Sequence, residues 1–138
     1  MRIELICIAV VALAWGGYPL IARSSGMGTP LGALLMTSSS LLPIVLATIW
    51  NGVAARPSTG ELTKLLIGGT LMGVGTTAFN YLANSRNIEA SISIPIADTA
   101  MLIVSVVAAI LFFAEPLTVK KLIGLALLIA GIAVLRPE

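Results

Sequence analysis

Residues 89–135 read EASISIPIADTAMLIVSVVAAILFFAEPLTVKKLIGLALLIAGIAVL. Between Ala90 and Phe113 a single charged side chain, Asp98, interrupts a run of apolar and small residues. Glu115-Pro116 then marks a turn, and Leu117 to Leu135 is apolar again apart from Lys120 and Lys121. A helix of about 20 mostly apolar residues crosses roughly 30 Å of hydrocarbon. Both runs meet that length, so this stretch reads as two membrane spans joined by a short turn.

The same test applied upstream finds three more. Ile3 to Ala22 is ended by Arg23-Ser24-Ser25-Gly26, and the next span starts at Pro30, a favourable first-turn residue, and ends at Trp50. Arg56-Pro57-Ser58-Thr59-Gly60-Glu61 forms a polar connector, and the third span covers Leu62 to Ala83, followed by the turn Asn84-Ser85-Arg86-Asn87. The expected spans are therefore 3–22, 30–50, 62–83, 90–113 and 117–135, in one domain covering 1–138.

Composition supports this reading. Of 138 residues, 58% are hydrophobic and 10% charged, and the mean hydropathy is +1.07. Soluble domains carry roughly 25% charged residues to hydrate their surface. A net charge of +2 without a long basic run leaves no footprint for nucleic acid. The chain has no His and its one Cys, Cys7, lies in an apolar run, so neither a disulfide nor a zinc cluster is expected. With no catalytic pair and no metal set, no enzyme activity, cofactor or metal is expected. Arg2 and Ala12-Leu13-Ala14 have some likeness to a cleavable leader, but Glu4 spoils the positive flank and the apolar run continues to Ile21. The first span is expected to be retained.

Five spans put the termini on opposite faces. Arg2, Arg56, Lys64, Lys120 and Lys121 share one face, and Arg23, Arg86 and Arg136 the other. This small excess favours a cytoplasmic N-terminus and is also compatible with insertion in both orientations.

The residues then suggest a family. Ala12-Leu13-Ala14-Trp15-Gly16-Gly17 resembles the Trp-Gly start of EamA-type domains of the drug/metabolite transporter superfamily. Residues 89–135 resemble it further, with small residues at Ala90-Ser91, Glu115 after the fourth helix and the Gly124 to Gly131 spacing in the last. That last helix is also similar to small multidrug resistance proteins. The resemblance covers the chain as one five-helix unit, whereas most such proteins carry two units in tandem. The usual mid-helix Pro of the fourth span is displaced, since Pro95 comes early and Asp98-Thr99 follow. The resemblance implies an all-α integral membrane protein of the plasma (inner) membrane of a prokaryote, a five-helix bundle forming half of a ten-helix inverted-repeat transporter. An odd number of spans makes a second copy insert upside down. One unit therefore needs a partner: a homodimer, antiparallel arrangements included, or a paralogous chain.

Polar groups within the spans mark a candidate site. By helical rise, Asp98 lies on the order of 12 Å into its span, and Trp15 and Ser38-Ser39-Ser40 fall at about the same level. Thr76, Thr77 and Asn80 lie nearer the outer end. Pro19, Pro43 and Pro95 each deprive a carbonyl of its donor, those of Trp15, Ser39 and Ser91. Such carbonyls are satisfied by neighbouring helices as ordinary kinks, or by water and substrate in a transport site.

Asp98 is the sharpest residue. An ionised carboxylate at that depth costs roughly 3 kcal/mol or more, so it faces a cavity or carries a proton. Two roles stand open: a proton or cation site with Thr99 beside it, or a protonated group bonded to a neighbour. Trp15 and Tyr18 either line a pocket whose aromatic faces attract cations or pack between helices. Glu115 is expected to cap the last helix, Glu4 to reach the interface, and Tyr81 and Trp50 to anchor there. Gly69 and Gly73, with Gly75, are expected to pack internally. Gly124 and Gly131, with Ala126 and Ala130, form either a dimer face or an internal one.

Three functions follow. The leading one is a secondary transporter of a small-molecule substrate, exporting small metabolites or organic cations with proton coupling as a dimer in membrane lipid. The others are a non-transporting or hetero-paired membrane subunit, and a lipid-linked sugar flippase component, as some short relatives of the family are thought to be. Neighbouring genes for a second five-helix unit, or for lipid glycosylation, would separate these.

Overall fold

A computed structural model describes residues 2–52 and 56–135. Among them the secondary structure is entirely helical: α1 (Arg2–Ser25), α2 (Pro30–Asn51), α3 (Thr59–Asn84), α4 (Ala90–Phe113) and α5 (Val119–Val134). The chain divides into two compact units, one ending at Asn84 and the other starting at Ser85. Arg136 and the side chain of Arg2, both used to orient the chain, lie outside the described residues.

Helices α1 to α4 are long and apolar enough to cross a membrane. Their exposed side chains include Leu13, Ile49 and Leu71, at 79%, 73% and 68% accessibility, which suits lipid rather than water. α5 has 16 residues, about 24 Å by rise, so it is shorter than the expected 117–135. The cause is local. Ala114 takes a left-handed conformation, Pro116 follows, and Thr118 remains extended as the N-cap.

In the first unit α3 packs against both α1 and α2. The α1–α2 connection is tight: Gly26, at φ +70°, turns the chain, and its N–H donates to the Arg23 carbonyl at 3.1 Å. Pro30 opens α2, where its missing N–H is not needed. α3 starts at Thr59, earlier than the expected Leu62, because Ser58 and Glu61 form a capping box. The Ser58 N–H and hydroxyl each donate to Glu61 Oε2 at 2.8 Å, and the Glu61 N–H donates to Ser58 Oγ at 3.4 Å.

The second unit is a pair of packed helices, α4 and α5. The capping group of α5 is Thr118, whose Oγ1 accepts from the Lys121 N–H at 3.3 Å. Glu115, expected to cap this helix, stays outside it and pairs with Lys121 Nζ at 2.8 Å.

Candidate functional site

The first unit holds an aromatic cluster. Trp15 and Tyr18 lie one turn apart on α1, with ring centroids 6.5 Å apart and an interplanar angle of 81°. Tyr18 also meets Phe79 of α3 at 5.7 Å. Phe79 was not expected in this cluster; only the packing of α1 against α3 reveals it. Trp15 stays 57% accessible, while Pro19, one turn on from it, is fully buried. Pro19 thus breaks the ladder at a packed part of α1, whereas Pro43 is exposed on α2.

Ser39 is exposed, and its hydroxyl donates to the Met36 carbonyl of its own helix at 2.8 Å. Ser40 does the same to Thr37 at 2.7 Å. An open cleft of about 380 Å³ separates α2 from α3, lined by Pro30, Ala33, Leu34, Thr37, Gly73 and Thr77.

In the second unit, Asp98 is half-buried in the third turn of α4. Its carboxylate makes no hydrogen bond or ion pair with any described residue. Thr99 follows it, with its hydroxyl committed to the Pro95 carbonyl at 2.7 Å. Ser93 is 3% accessible, and its Oγ has no partner, which adds a polar group near Pro95 that sequence reasoning missed.

Sequence reasoning also undervalued Asn80. This residue is 2% accessible, and its Nδ2 donates to the carbonyls of Met27 at 2.8 Å and Thr29 at 3.1 Å. Asn84, one turn on, donates to the Asn80 carbonyl at 3.0 Å. An Arg23 guanidinium N–H donates to the Ala83 carbonyl at 2.9 Å. These bonds tie the α1–α2 turn to the end of α3. The two Asn at helical spacing in an apolar span were the available signal.

Glycine close approaches also fall elsewhere than expected. A methyl group at Gly69, Gly73, Gly124 or Gly131 would meet nothing within 4 Å. At Gly28 it would come within 2.7 Å of the Asn84 Cβ, and at Gly32 it would collide with the Met27 carbonyl oxygen. The tight spacing of unit 1 is therefore at the α1–α2 turn.

Comparison with family models matches residues 2–136 to the EamA-like transporter family. The chain belongs to that family. It is a single five-helix unit of the drug/metabolite transporter superfamily, and EamA-like proteins are membrane transporters rather than enzymes. This EamA-like chain is accordingly an integral membrane protein in contact with lipid. Comparisons with curated proteins and with solved structures found no match.

Proposed function

We propose that this EamA-like chain exports small metabolites or organic cations by exchange for protons, working as a dimer of five-helix units in a prokaryotic inner membrane. The observation that carries the reading is Asp98. It is a half-buried carboxylate inside a long apolar helix, with no partner among the described residues. A lone carboxylate within a span is a functional residue by default, because retaining it unpaired is costly. A cationic substrate and a proton compete for such a group, which makes loading by one release the other. Within the second unit Thr99 stands beside Asp98, and within the first Trp15, Tyr18 and Ser39 are the side chains proposed to meet substrate. The broken backbone ladders at Pro19, Pro43 and Pro95 supply further acceptors.

The resemblance to ten-helix inverted-repeat transporters and the open glycines of α3 and α5 support pairing with a second five-helix unit. A Cβ at Gly124 or Gly131 on α5, or at Gly69 or Gly73 on α3, would meet nothing within 4 Å, which supports small-residue contact faces there. The weak charge excess on the N-terminal face permits the partner to insert in either orientation, with the N-terminus preferred in the cytoplasm.

The test is flux in proteoliposomes under an imposed proton gradient, against a panel of neutral and cationic compounds. Asp98→Asn is expected to abolish gradient-driven flux at unchanged membrane yield. Full flux in that variant would remove Asp98 from the mechanism.

A further inference from the structure

The N-terminal end of α3 carries a cleft of about 600 Å³ lined by Arg56, Pro57, Glu61, Lys64 and Leu65. Its charges are unevenly committed. The Glu61 carboxylate is held by the Ser58 N–H and hydroxyl, so it serves the helix cap. The side chains of Arg56 and Lys64 have no ion-pair or hydrogen-bond partner among the described residues. Two free cations therefore face one recess whose acidic member is already engaged.

The depth of this recess identifies its surroundings. From Lys64 to Asn84 the rise of α3 is about 30 Å, the thickness of the hydrocarbon core. Lys64 thus stands at the boundary, where a long side chain carries its ammonium into the headgroup layer. Arg56 and Pro57 lie outward of it and Leu65 inward. The cleft spans the level at which a phospholipid phosphate meets its acyl chains.

We infer that Arg56 and Lys64 form a headgroup site for an anionic phospholipid, with the phosphate between the two cations and the start of an acyl chain against Leu65. Arg supplies a planar fork that bonds two phosphate oxygens, and Lys supplies a point charge. Zwitterionic lipid offers the same phosphate, but its own ammonium competes with these cations. The site therefore prefers phosphatidylglycerol to phosphatidylcholine. This inference is independent of the transport reading, since it uses none of the residues proposed to bind substrate.

Lipid titration of the full-length protein in neutral micelles, followed by native mass spectrometry, tests it. Near a membrane surface each cation strengthens anionic lipid binding roughly fivefold. Wild type is expected to retain phosphatidylglycerol more tightly than phosphatidylcholine by at least that factor. The double variant Arg56→Ala/Lys64→Ala is expected to lose the preference, and the charge-preserving Arg56→Lys/Lys64→Arg to keep most of it. The same melting temperature in the three proteins excludes a folding effect. Equal retention of the two lipids by wild type, or an unchanged preference in the Ala variant, would overturn the assignment. So would displacement of phosphatidylglycerol by an equimolar amount of inorganic phosphate, because the Leu65 contact would then add nothing to the affinity.

Discussion

Asn80 illustrates how one polar side chain holds three helices. Its amide donates to two carbonyls of the α1–α2 turn from a site with almost no solvent access. Asn80→Ala leaves the Met27 carbonyl without this donor and should lower stability by about 2 kcal/mol. Asn80→Asp should cost more, because it points an acceptor at two carbonyl oxygens. Thermal unfolding in detergent, read by circular dichroism, checks the order wild type, Ala, Asp. Gly32→Ala should cost about 2 kcal/mol for a separate reason, the collision of its methyl group with the Met27 carbonyl. Gly69→Ala should be close to neutral in the same assay, since its Cβ enters open space. Sequence alone did not separate these glycines. A Gly-x-x-x-Gly spacing signals permission for close approach, and only the partner's position decides whether the approach occurs.

At the scale of elements, the ends of the helices are set by side-chain chemistry rather than by hydropathy. α3 gains its first turn from the Ser58–Glu61 box, and α5 starts at Thr118. Thr118→Ala should cost about 1 kcal/mol. Its signature is local: faster hydrogen exchange at the Lys121 amide, with α1 to α3 unaffected. The cores of the helices were legible in the sequence, because runs such as 90–113 hold one charge among apolar residues. The caps were partly legible. Ser58-Thr59-Gly60-Glu61 has capping-box spacing, yet the hydrophobic run starts only at Leu62. Near Glu115 the nearby carboxylate suggested the cap, whereas a threonine closer to the helix supplies it. Hydropathy marks where lipid contact starts, and hydrogen-bond geometry marks where the helix starts; the two differ by several residues.

For the whole molecule, family membership agrees with the resemblance carried by residues 12–17 and 89–135, and the helical architecture with what composition and span lengths implied. Trp15, Tyr18, Asp98 and Thr99 were legible as amphipathic or polar exceptions within apolar spans. Phe79 was not, because its place beside Tyr18 depends on how α1 packs on α3. With open glycines on α3 and α5, the five-helix unit is expected to pair in the bilayer. In a Cys7→Ser background, Gly131→Cys should give a disulfide-linked species of twice the 14.2 kDa protomer mass in native membranes. If neither that variant nor Gly73→Cys yields more than monomer, the pairing is wrong.

The central claim is that Asp98 carries the coupled proton. Its most direct measurement is proton release from purified protein in weakly buffered detergent when a transported cation is added. Wild type is expected to release protons in proportion to substrate bound, and Asp98→Asn to release none. Equal proton release from both proteins would contradict the account.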